Sequence, residues 1–170
     1  TLVEPQSSGI GGGGFLVHWD PAARDITTYD GRETAPMAAT PQRFQDAAGD
    51  PRPWPEVVPG GLSVGVPGLV PMLALAHADH GVLPWVELIK PAIALADTGF
   101  PVSPRLNGLL SRLGPEFFLP KARAYFFEAD GTPHPVGHIL RNPTLANTLR
   151  SIALGGEKAI HARIRNAMDA

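Results

Sequence analysis

From Phe15 to Trp19, Phe, Val and Trp alternate with Leu and His, so that one set of side chains points to each face of an extended segment. Ile26 to Asp30 has the β-branched character of a second strand, and Asp20-Pro21-Ala22-Ala23-Arg24-Asp25 supplies turn residues between the two. The pattern predicts a β-hairpin over about 14–31, with Arg32 just past the end of its second strand. From about residue 40 the signals become helical. Thr40-Pro41 offers an N-cap followed by proline at the first helical position, predicting a short helix that stops near Gly49. The four prolines between Asp50 and Gly61 predict a loop. Leu69, Met72, Leu73 and Ala76 then share a helical face ahead of a stop at Gly81. Pro84 opens a helix striped by Trp85, Leu88 and Ile89 that Pro91 should break or kink, and a shorter piece from Ala92 to Thr98 should end at Gly99. Ser103-Pro104 and Asn142-Pro143 repeat the cap-then-proline signature, the second leading through Leu145, Leu149 and Ile152 to Gly155-Gly156, with a last helix from about Glu157. The expected class is α+β, a hairpin followed by a mostly helical part over about 40–170.

Composition narrows what such a chain does. Its 170 residues fit one domain able to bury a sizeable core. The net charge is −2, with no basic run and no interleaving of basic and aromatic residues, so a nucleic-acid partner has no electrostatic footprint. Without cysteine there are no disulfides, thiol nucleophiles or thiolate metal sites. Val57 to Ala78 carries no charge and is long enough to cross a bilayer, but Pro59, Pro67, Pro71 and several glycines interrupt it, and no membrane span is expected. No basic region followed by an apolar run marks a signal peptide at the N-terminus.

The candidate chemistry is sparse. Gly9-Ile10-Gly11-Gly12-Gly13-Gly14 invites a phosphate loop, but it opens a strand where nucleotide loops open a helix, and the Lys-Ser/Thr pair of a P-loop is missing. A close backbone approach suits it better, a flexible linker less well. Arg32 beside Glu33 reads on its own as a surface ion pair worth under about 1 kcal/mol. The alternative is a guanidinium fork for a carboxylate ligand, with Glu33 orienting it or anchoring the local backbone. His77 with His80 and His134 with His138 are spaced for a metal, yet no carboxylate completes a common zinc motif around the first pair, and the second lies in a Gly-Pro-rich loop. Solvated or hydrogen-bonded histidines, and no metal or cofactor, are the expectation. Asp130-Gly131 reads as a turn. Ser7-Ser8 has no identifiable partner base, and Thr1, though placed like an N-terminal nucleophile, has nothing else to recommend it.

Two segments carry a resemblance. Val3-Glu4-Pro5-Gln6-Ser7-Ser8-Gly9-Ile10-Gly11-Gly12-Gly13-Gly14-Phe15 and Asp30-Gly31-Arg32-Glu33-Thr34-Ala35-Pro36 resemble the large subunit of the γ-glutamyltransferase family. Leu62-Ser63-Val64-Gly65-Val66-Pro67-Gly68, Gly81-Val82-Leu83-Pro84-Trp85, Pro91-Ala92-Ile93-Ala94-Leu95-Ala96, Gly99-Phe100-Pro101-Val102-Ser103 and Asn142-Pro143-Thr144-Leu145 follow in the family's order. Around His161 the family usually has an aromatic residue and a glycine, which puts the local turn there in doubt.

The resemblance implies part of an αββα N-terminal-nucleophile hydrolase sandwich, made as a precursor that cuts itself into two subunits. It implies Arg32 as the group that grips the α-carboxylate of a γ-glutamyl substrate, with Glu33 in support and the glycine run near the catalytic centre. The family's nucleophilic threonine opens a segment downstream. Residue 1 would then be an internal position, and the 170 residues alone would supply no catalytic residue and no transferase activity. The partners implied are the small-molecule γ-glutamyl substrate and the remaining large-subunit and small-subunit segments, in a periplasmic or extracellular setting. Relatives that cleave acyl groups from cephalosporins or transfer poly-γ-glutamate give a second enzymatic reading, and a non-catalytic binding domain a third.

Overall fold

The computed structural model describes residues 2–58 and 60–155. The chain is α+β, with a hairpin leading into helices. Strands β1 (Phe15–Asp20) and β2 (Asp25–Asp30) run antiparallel, Leu16 opposite Tyr29 and Asp20 opposite Asp25. The Asp20 carboxylate closes the turn by accepting the Ala22 and Ala23 N–H groups at 2.8 and 3.1 Å. Those two bonds hold Asp20 below the usual carboxylate range. The more apolar face of the hairpin, Phe15, Val17, Trp19 and Ile26, is exposed. It is the Leu16 and Tyr29 face that packs against Met72 and Ala76 of a helix.

Between hairpin and helices the structure departs from the sequence pattern twice. Helix does not continue from Pro41 to Gly49 but stops after a single 3-10 turn, Pro41–Phe44, because Asp46 captures the Ala48 and Asp50 N–H groups at 2.8 and 3.0 Å and folds the chain back. Inside the proline-rich stretch, Trp54–Val57 forms a short helix, α1. Pro55 lies in its first turn, where the missing N–H would have had no partner.

Helix α2 (Leu69–His80) buries Val70, Met72 and Ala76, while Leu73, expected on the same face, is exposed. Helix α3 (Trp85–Thr98) runs unbroken through Pro91. Pro91 and Glu87 both face solvent, so water can take the Glu87 carbonyl that proline leaves unbonded. Gly99 ends the helix at φ 95°, and a Cβ there would meet Ile139 Cγ2 at 2.5 Å.

Helix α4 (Pro104–Leu113) starts on Ser103, whose hydroxyl accepts the Leu106 N–H at 3.0 Å. Helix α6 (Pro143–Gly155) starts on Asn142, which accepts from Leu145 N–H at 2.9 Å. Between them lie a 3-10 turn at Pro115–Phe117, helix α5 (Pro120–Phe126) and strand β4 (Ile139–Leu140), which forms a two-residue antiparallel ladder with β3 (Phe100–Pro101), the strand just ahead of α4.

The largest core cluster, Phe100, Val102, Leu106, Leu110, Phe127 and Leu140, joins α4 to this ladder. Helices α3 and α6 approach closely through Ala96 and Ala146, both fully buried, with Leu149. Trp85 Nε1 donates to the Ile152 carbonyl at 3.1 Å, and Arg150 pairs with Asp97. Among the described residues no helix is long and apolar enough to cross a membrane. The helix expected from Glu157, the turn near His161 and Thr1 lie outside the described residues.

Candidate functional site

Three backbone segments meet just beyond β2: the glycine run at 11–14, the stretch 30–34, and the segment 65–68 that opens α2. Gly14 and Gly31 exchange N–H···O bonds at 3.3 and 2.9 Å, extending the hairpin by one pair. Thr34 and Val66 exchange another pair at 3.3 and 2.9 Å, and the Gly12 carbonyl accepts both Gly68 and Leu69 N–H at 3.2 and 3.1 Å. Side chains are excluded from this junction. A Cβ on Gly13 would lie 2.6 Å from the Gly31 oxygen and 2.9 Å from Arg32 Cα, one on Gly31 2.5 Å from Met72 Cβ, and one on Gly68 2.3 Å from the Gly31 oxygen. Only glycine allows the three strands of chain to touch in this way.

Arg32 is held by that junction. Its N–H donates to the Asp30 carboxylate at 2.7 Å, while its side chain extends outward, 69% exposed. Its Nε lies 3.1 Å from Glu33 Oε2. The Glu33 carboxyl is held below the usual carboxylate range chiefly by its own backbone N–H, and also by the Arg32 charge and the Gly13 N–H, against a partial desolvation that raises it. Glu33 thus ties both the guanidinium and the glycine run. Binding Arg32 through Nε leaves the Nη1/Nη2 edge of the fork facing solvent, the edge that can take a carboxylate with two parallel bonds.

Next to Arg32 opens a cavity of about 490 Å³, its wall including Glu33, Thr34, Pro36, Arg43, Leu62 and Ser63. Arg43, the other arginine here, donates through Nε to the Leu62 carbonyl at 2.6 Å and thereby braces the far wall. The two arginines differ in employment: one is spent on backbone, the other is open.

The remaining candidates scatter. Ser7 and Ser8 are exposed in the N-terminal turn. His77 and His80 do not act together: His77 Nε2 lies 2.7 Å from the Leu83 carbonyl, whereas His80 joins a network that the sequence did not reveal. There the Tyr29 hydroxyl is 2.8 Å from both Asp79 Oδ2 and His80 Nε2, and His80 stacks on His18 at 3.7 Å between centroids. Burial first, then the Asp79 hydrogen bond and charge, push the Tyr29 hydroxyl above its ordinary range. His134 and His138 do come together, beside Glu128, which no motif had singled out. Gly131 at φ 85° donates its N–H to the Glu128 carbonyl at 3.0 Å, the turn expected at Asp130-Gly131.

Comparison with known proteins gives a consistent set of relatives. The family profile described as Gamma-glutamyltranspeptidase matches residues 1–162. Glutathione hydrolase 2 of Arabidopsis thaliana is 39% identical over 160 residues, covering 94% of this chain and 26% of its own length. The glutathione hydrolase proenzyme of Bacillus subtilis is 37% identical over 161 residues, covering 95% of this chain and 27% of its own. Among solved structures, the gamma-glutamyltranspeptidase of Helicobacter pylori superposes with a TM-score of 0.84 at 33% identity, over 93% of this chain and 45% of that one. The chain therefore spans about a quarter of the length of the curated relatives it matches.

Proposed function

Because the chain belongs to the gamma-glutamyltranspeptidase family, we propose that the full-length protein cleaves γ-glutamyl amides of the glutathione type, and that Arg32 binds the substrate's α-carboxylate. The observation that carries this reading is an arginine fixed at its backbone by a glycine junction and at Nε by Glu33, with its terminal fork open. A fork on a rigid base loses little freedom when it meets a carboxylate, which is what recognition of an amino-acid head group needs. Residues 1–170 then form the N-terminal part of a large subunit, and the hairpin contributes to an αββα sandwich completed by the rest of the large subunit and the small subunit.

In this reading the bond-making group is a threonine from the small subunit. Its Oγ attacks the γ-carbonyl carbon, its proton passes to the departing amine as the C–N bond breaks, and the resulting acyl ester is resolved by water or by an amino-acid amine. Arg32 holds the donor so that its γ-carbonyl is presented to that oxygen. Since the α-carboxylate is unchanged through the reaction, the contact binds ground state and transition state alike and is felt in KM more than in kcat.

The full-length protein, expressed and purified, should yield two chains, the smaller beginning with threonine, and should release p-nitroaniline from γ-glutamyl-p-nitroanilide faster than from the glutaryl analogue that lacks the α-amine. Replacing Arg32→Lys keeps the charge and removes the fork. Charge-assisted hydrogen bonds are worth about 1.5–3 kcal/mol, so KM should rise by roughly 10- to 140-fold at about 1.4 kcal/mol per decade. An unchanged KM removes Arg32 from the site, and a single uncut, inactive chain removes the enzymatic reading.

A further inference from the structure

Away from the glycine junction, the loop between α5 and β4 gathers two imidazoles and a carboxylate. After α5 the chain makes a tight turn in which the Glu128 N–H donates to the Thr132 carbonyl at 2.8 Å and Phe127 pairs with Pro133. Glu128 and His134 thereby stand on neighbouring arms of the turn, with His134 Nδ1 2.7 Å from Glu128 Oε1. Four residues on, His138 stacks on His134 with ring centroids 3.9 Å apart and planes 2° from parallel. One donor atom from each of the three side chains falls within 4.8 Å of the others.

From this arrangement we propose that Glu128, His134 and His138 form a binding site for a borderline-soft divalent metal, zinc above all. The donor set is the two-histidine, one-carboxylate combination that zinc accepts, at metal–ligand distances of about 2.0–2.2 Å. Such distances put tetrahedral ligand atoms about 3.3 Å apart, so the present spacing needs only side-chain rotation to close.

Backbone anchoring holds the two histidines in place. His134 N–H donates to the Phe126 carbonyl at 3.1 Å, and the His134 carbonyl accepts Asn107 Nδ2 at 3.0 Å. The His138 carbonyl accepts the Val102 N–H at 2.8 Å. Phe127 and Val102 are buried in the largest core cluster, so the backbone of the site rests on a rigid base, and closing on a metal takes rotation of the stacked imidazoles out of parallel together with a turn of the more exposed Glu128. Three protein ligands leave a fourth position for water or for an anionic group of a ligand. A metal here would cross-link the two arms of the α5–β4 loop, since all three ligands belong to it.

The test is zinc titration of tag-free full-length protein by calorimetry, with cobalt absorption as a report on geometry. The account predicts one zinc per chain, a visible cobalt d–d band, and a rise in Tm on adding zinc. It predicts that Glu128→Gln and His138→Gln each weaken zinc at least about tenfold and suppress the cobalt band, with their metal-free Tm values close to wild type, and that His77→Gln leaves binding unchanged. Absence of saturable zinc binding, or equal binding by His138→Gln and wild type, overturns the proposal.

Discussion

Gly13→Ala isolates the structural basis of the candidate site. The added methyl would lie 2.6 Å from the Gly31 oxygen, 2.8 Å from the Glu33 nitrogen and 2.9 Å from Arg32 Cα, all backbone atoms with no rotamer to move. Ordinary contact begins near 3.4 Å, so the 30–34 segment must shift by about 0.8 Å or the glycine run must yield by as much. Overpacking of this kind costs about 1–3 kcal/mol, which in a domain of roughly 150–250 residues lowers Tm by about 2–4 °C per kcal/mol. The displaced segment carries Arg32. A misplacement near 1 Å at a substrate-positioning group costs on the order of 100-fold in rate, so kcat/KM for γ-glutamyl-p-nitroanilide should fall by about 10- to 100-fold in the full-length protein. Gly11→Ala is the control, since a Cβ there meets nothing within 4 Å. Thermal unfolding and steady-state kinetics on both variants decide the matter: Gly13→Ala matching Gly11→Ala in stability and kcat/KM would refute the junction as the element that positions Arg32.

Glu33→Gln probes the carboxylate that ties Arg32 to the glycine run. Because Glu33 is depressed below its ordinary value of 4.5, its contribution is present above that pH and is lost as pH falls through the lower folded value. Urea unfolding should therefore show wild type more stable than Glu33→Gln at neutral pH, with the difference vanishing in strong acid; a difference independent of pH would assign the effect to something other than ionisation. Ser103→Ala removes the hydroxyl that caps α4 and should cost about 1 kcal/mol, read as an earlier urea midpoint with unchanged m; no change would mean that Pro104 alone sets the helix start.

The hairpin was legible because its alternation and turn residues are local, and so were the starts of α4 and α6, where a cap and a proline stand together. Pro91 misled because its effect depends on whether the Glu87 carbonyl can reach water, which is a property of the helix face. Asp46 misled for the opposite reason: its side chain competes locally with a helix whose proline start looked adequate. The β3–β4 ladder joins residues about forty apart in pairs too short to leave a pattern.

At the candidate site, Arg32 and Glu33 could be singled out from their neighbours in sequence. Gly31, Gly65 and Gly68, which close the junction around the glycine run, become meaningful only once three segments meet. Tyr29, Asp79, His80 and His18 likewise assemble from a strand pair and a helix end, and nothing along the chain connects Glu128 to His138 until the turn at Gly131 is built.

The central claim is that Arg32 meets the α-carboxylate of a γ-glutamyl donor. A cycle tests it most directly: wild type and Arg32→Ala full-length protein, each assayed on γ-glutamyl-p-nitroanilide and on 4-aminobutyryl-p-nitroanilide, which lacks that carboxylate. The account predicts a large loss of kcat/KM for the variant on the first substrate and almost none on the second. Equal losses on both would contradict it, because the arginine would then be acting on something other than the carboxylate.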